Sequence, residues 1–180
     1  MDLHGLALAL GDSAIGEWMR SNVRAMPVVE ALHVMAVALV LGTVLVVDLR
    51  LLGLPNWRRP VTRVAGELLR LTWGGFGLAV ITGVMMFTAN AATYYGNTAF
   101  RLKLLALGLA GLNMAVFHLG AFRTVGHWDR DQRAPNAARM AAALSILLWI
   151  GIIFLGRWIG FTKGYNFAVP EDVNLDLAIP

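Results

Sequence analysis

Between Val28 and Leu54 the chain reads VVEALHVMAVALVLGTVLVVDLRLLGL, apolar for long enough to cross a bilayer. Lipid offers no partner for backbone N–H and C=O groups, so such a stretch has to be a helix. Near its start stand Glu30 and His33, one helical turn apart on the same face. An ionisable side chain inside a spanning helix is expensive and marks a functional site by default. The remainder of the chain is read as scaffold, orientation or partner for this pair.

The surrounding composition agrees. Of 180 residues, 58% are hydrophobic and 14% charged, against about 25% charged in a soluble domain. Four spans use up the length and leave no room for a separate soluble domain. With no cysteine, disulfides, thiolate metal sites and covalent C-x-x-C-H haem attachment are excluded. No nucleotide-binding loop, nucleophile triad or zinc motif is present, and no nucleic-acid partner is expected. The first apolar run, Leu6–Leu10, is short and has no basic residues before it, which argues against a cleaved signal peptide.

In order, residues 1–12 look irregular. From about residue 13 to 25 the spacing of Ile15, Trp18, Met19 and Val23 is helical, with Ser13 as its cap. This segment is too short and too charged to span, and reads as an interfacial helix. The first span covers about 27–52, with Pro27 in its first turn. The second covers about 67–90, the third about 99–122 and the fourth about 137–162. A tail over 164–180 reads as extended. The expected fold is an all-α integral membrane protein, an antiparallel four-helix transmembrane bundle forming a single membrane domain.

Orientation follows from basic residues near the span ends. The side with the links between the first and second spans and between the third and fourth holds Arg50, Arg58, Arg59, Arg63, Arg70, Arg123, Arg130, Arg133 and Arg139, nine in all. The side with both termini holds six: Arg20, Arg24, Arg101, Lys103, Arg157 and Lys163. The bias places both termini on the outer, periplasmic side of a bacterial inner membrane.

Depth decides which polar groups meet. His33 lies about 9 Å below the outer end of its span, and His118 about 7 Å above the inner end of the third, at 1.5 Å per residue. In a core about 30 Å thick they are about 14 Å apart along the normal, too far to share one metal ion. Lys103, Arg101, Arg157, Met85 and Met86 do reach the level of His33. Imidazole with a thioether or second nitrogen ligates haem iron, and buried cations neutralise haem propionates. Gly83, Gly108 and Gly111 leave space for a flat macrocycle. Glu30 is placed to accept a hydrogen bond from the ligating imidazole. Glu30-x-x-His33 also matches half of a di-iron motif, but no other span offers an acid at that depth. The bland alternatives are that His33 bonds a neighbouring helix, that His118 and Asn113 make interhelical hydrogen bonds, and that Met85 and Met86 are packing. Asp48 and Arg50, at the inner end of the first span, are expected to make interfacial contacts.

LHVMAVALVLG followed by DLRLLG, and NTAFRLKLLALGLAGLNMAVFH later, resemble an uncharacterised group of small bacterial four-span proteins. A more distant resemblance is to the membrane-embedded protoporphyrinogen oxidase family, through Leu32-His33 and through Lys103-Leu104-Leu105 followed by His118. That resemblance implies haem b, with His33 and Lys103 as the matching positions. The family's Trp-Leu-His before the lysine is absent and the Lys103–His118 spacing is longer, so it implies haem binding rather than the oxidase reaction. The His-to-Gly pattern is also similar to one in copper-resistance membrane proteins.

The expectation is a b-type haem protein of electron transfer, with His33 as axial metal ligand. The sixth position is left to Met86, Met85, Lys103 or no residue. It would exchange electrons with a quinone or redox protein, as an anchor or subunit of a larger respiratory assembly, homo- or hetero-oligomeric. Whether it is itself an oxidoreductase stays open. The alternative is a non-redox structural or assembly subunit, or a small-solute or copper transporter. A Soret band separates the two.

Overall fold

The computed structural model describes residues 3–54, 59–130 and 134–162. The expected extended tail lies outside them. Among the described residues there are helices and short connections but no strand. The helices are α1 (Leu3–Gly11), α2 (Ala14–Ser21), α3 (Ala25–Leu52), α4 (Val61–Ala89), α5 (Ala91–Gly96), α6 (Thr98–Leu119), α7 (Val125–Trp128) and α8 (Asn136–Thr162), with a 3₁₀ turn over Ala121–Thr124. Four segments are long and apolar enough to cross a membrane: α3, α4, α8, and α6 with the turn and α7 behind it.

Local chemistry sets most of the ends. Pro27 occupies the first turn of α3, where its missing N–H costs nothing. At the other end Gly53 takes the left-handed conformation, φ 81°, with its N–H on the Arg50 carbonyl and that of Leu54 on Leu49. Only glycine adopts that geometry without strain. α4 begins at Val61 behind Pro60 rather than near Glu67. Its first two turns carry Arg63 and Glu67, whose i,i+4 pair (3.1 Å) supports a helix that hydropathy alone does not register. The stretch expected to be irregular at the N-terminus is helical over α1, and the link after α4 contains α5. Asn97 caps α6 by accepting from Phe100 N (3.0 Å) and ties it to α8 through Thr162 (2.9 Å).

α3 packs along α4, and their contacts climb one helix as they descend the other: His33 with Thr82, Thr43 with Thr72. At Gly75 the backbones come close enough that a Cβ would stand 3.1 Å from Val40. α8 packs on α3 and on α6, whereas α4 and α6 make no extended contact. α6 accordingly buries one residue, Ala99.

α2 is the amphipathic helix expected over 13–25, shorter than that range. Ser13 caps it, accepting from Gly16 N (3.3 Å), and Met19 is buried with Ala25, Val29 and Ala89. Arg20 turns inward and donates to the Gly11 carbonyl (2.8 Å), reaching towards Thr88 (3.4 Å). Ile15 and Trp18 are left about half exposed, at 53% and 48%. A Cβ on Gly16 would run into the Gly11 carbonyl and stand 2.9 Å from that of Thr88. Both obstacles are backbone, so Gly16→Ala should displace α2 and cost about 1–3 kcal/mol, read as a lower melting temperature. An unchanged melting temperature would mean that α2 docks without this contact.

Candidate functional site

Because α4 and α6 stand apart, a cavity of about 1100 Å³ opens between them, backed by α3 and α8. Its walls are mostly aliphatic and aromatic, among them Val40, Val44, Phe76, Leu107 and Trp149. The polar groups fall into two sets. His33, Arg101 and Lys103 line the end nearer α2, and Asp48, Asn113, Ser145 and His118 line the other half.

His33 is half-buried on α3, and its Nδ1 lies 3.0 Å from Thr82 Oγ1. Thr82 donates its one hydroxyl proton to the Leu78 carbonyl (2.7 Å), so it accepts from Nδ1–H of the imidazole. That arrangement fixes the tautomer and leaves Nε2 as the nitrogen that can take a proton or a metal. Gly83 sits beside the ring, where a Cβ would stand 3.3 Å from Cε1. Facing it from α6, Lys103 runs across Gly156 of α8, its Nζ 3.4 Å from where a Cβ would be. Arg101 donates to the Tyr95 carbonyl (2.9 Å) and lies over the Tyr95 ring. Beyond this end Phe87, Tyr94 and Phe100 form an aromatic cluster with Ile159.

The remaining residues expected in this layer stand elsewhere. Glu30 is exposed and makes no hydrogen bond or ion pair among the described residues. Thr82, not Glu30, partners the imidazole. Met85 and Met86 lie about one turn beyond Thr82 on α4, packed against the Met19, Ala25, Val29 and Ala89 cluster. Met85 also lines a separate apolar hollow with Ile15 and Trp18. Arg157 is exposed, its guanidinium 5.5 Å from the Phe161 ring. Gly111 lines the cavity and Gly108 does not.

At the far end, Asn113 donates across to the Ala141 carbonyl of α8 (2.9 Å), the expected interhelical bond. His118 differs: its Nδ1 meets the Met114 carbonyl of its own helix (2.9 Å), and its ring sits against Phe117 and Phe122. Asp48 and Arg50, expected as interfacial contacts, are both buried, at 6% and 1% exposure. Arg50 donates to the Arg59 carbonyl (2.8 Å) and the Asp129 carbonyl (3.2 Å), while Asp48 faces the cavity beside Ser145. Hydropathy sees only charges flanking an apolar run. That they turn inward depends on the start of α4 and on α7 folding over them. Among the described residues no group of three or more His, Asp and Glu side chains is placed to hold a metal ion.

The chain belongs to a family of unknown function, DUF6644, whose profile matches residues 20–162. No curated protein and no solved structure matches it.

Proposed function

We propose that the protein is a multi-pass inner-membrane protein that holds a b-type haem in the α2 end of its cavity and serves in electron transfer. The observation that carries this reading is that His33, with Nδ1 committed to Thr82, and the cations Lys103 and Arg101 line one apolar cavity. The residues fit the group. Nε2 of His33 is the ring nitrogen left for an axial bond, and Thr82 supplies the hydrogen bond that orients such a ligand. Lys103 and Arg101 are the counter-ions that two propionates require. Haem supplies a one-electron couple there, tuned by axial ligand and burial. Met85 and Met86 stand in the packing cluster, so His33 would hold the group, with Lys103 as a counter-ion. A single centre near one face suits exchange with a quinone or a redox partner, within a larger respiratory assembly.

Membrane embedding as an antiparallel bundle is part of the reading. Its support is the exposed apolar surface of the long helices, where Leu119, Met140 and Leu147 are 65%, 72% and 67% exposed. The arginine bias puts both termini in the periplasm. Reporter fusions after Leu54 and after Arg130 should report a cytoplasmic location, and a periplasmic signal from either would reverse the orientation.

The test is the absorption spectrum of protein purified gently from haem-replete cells. A Soret band that shifts on dithionite reduction is expected. Its absence would transfer the cavity to a non-redox structural or transport role.

A further inference from the structure

Asp48 lies fifteen residues beyond His33 on α3, about 22 Å along the helix at 1.5 Å per residue. It is 6% exposed and lines the cavity beside Ser145 of α8. Its Oδ2 is buried and has no hydrogen-bond partner among the described residues. No cation pairs with it there either. Arg50, two residues on, directs its guanidinium at the Arg59 and Asp129 carbonyls. Asp48 lines the cavity together with Leu51, Val61 and Ala142 of the buried cluster at this end. An uncompensated carboxylate in such surroundings is costly, and buried charges in proteins are as a rule paired.

We propose that the Asp48 end of the cavity binds an amphiphilic organic cation, a positively charged nitrogen or phosphonium centre carried on an apolar body. The apolar walls select the body, and the unpaired oxygen selects the charge. A cation favours the ionised carboxylate, whereas a neutral donor such as an alcohol or quinol offers it only a hydrogen bond. Aromatic faces add to the preference for a cation: Trp149 follows Ser145 by one turn on the same face of α8, and Phe117 lies against the same buried cluster. The gap between α4 and α6 opens sideways, the direction from which a membrane-partitioning amphiphile arrives. This site is separate from the His33 end and does not rest on haem binding.

The experiment titrates purified wild-type protein in detergent with tetraphenylphosphonium, and with triphenylphosphine oxide as a neutral counterpart, each corrected for protein-free micelles. Saturable binding of the cation about tenfold or more tighter than the neutral probe is expected. Asp48→Asn should lower cation affinity about tenfold or more, while Asp48→Glu should stay within about threefold. The Soret band of Asp48→Asn should match the wild type, which separates this outcome from that of the haem test. Equal affinity for the two probes, no saturable binding, or wild-type affinity in Asp48→Asn overturns the proposal and makes Asp48 a bridge between α3 and α8. Should Asp48→Asn fail to fold, the two-probe comparison on wild-type protein decides alone.

Discussion

Arg50→Ala is expected to destabilise the bundle by about 3–5 kcal/mol, more than other single truncations at that end. Its guanidinium is 1% exposed and holds three pieces of chain together. Nε donates to the Arg59 carbonyl (2.8 Å), just before α4, and Nη2 to the Asp129 carbonyl (3.2 Å), just after α7. Asp129 continues the network, its carbonyl accepting from Val61 N (3.1 Å) and its carboxylate from Thr62 N (2.8 Å) and Thr62 Oγ1 (2.7 Å). Truncating Arg50 takes its donor from the Arg59 carbonyl, leaves the Asp129 carbonyl to Val61 N alone, and opens a void where a fully buried side chain stood. Each lost bond to a charged donor is worth about 1.5–3 kcal/mol. Arg50→Lys should recover only part of this, because an ammonium cannot present the fork that reaches both carbonyls. Thermal unfolding in detergent gives the measurement. Arg50→Ala melting within about 2 °C of wild type would show that the network is dispensable.

The four long helices were legible because length and apolarity identify a spanning helix with no knowledge of its neighbours. α1 was not, since Leu6–Leu10 is short and its helix is supported by packing on α4 and α5. Depth along each helix placed His33 and Lys103 in one layer and kept His118 away. It could not supply what covers each face. Met85 and Met86 are at the right level, yet α2 closes over that part of the α3–α4 seam and takes them into packing. Thr82, the partner of His33, passes unnoticed in an apolar run, because a threonine that bonds its own helix is common in spans. Asp48 was the larger miss. A lone acid near the end of an apolar stretch reads as a flank, and only the packing of α8 and α4 turns it into a cavity wall.

His33→Ala should abolish haem retention, and graded losses at its neighbours are what distinguish an axial ligand from a packing histidine. Alanine removes the Nε2 lone pair, and His118 cannot replace it: it stands near the opposite end of α6, with Nδ1 on its own Met114 carbonyl. Thr82→Ala leaves the imidazole in place but frees its tautomer and rotation. Losses of an orienting hydrogen bond of this kind are about 10–100-fold in affinity, so partial haem loss restored by added haemin is expected. Lys103→Ala removes a counter-ion rather than a bond to the metal, and should shift the midpoint potential or weaken retention without abolishing it. Glu30→Gln, exposed and without a hydrogen bond or ion pair among the described residues, should leave retention unchanged. Soret-to-protein absorbance ratios across these four variants, at matched expression and melting temperature, give the ranking. A His33→Ala protein with the wild-type ratio would return His33 to a role in holding α3 against α4 through Thr82.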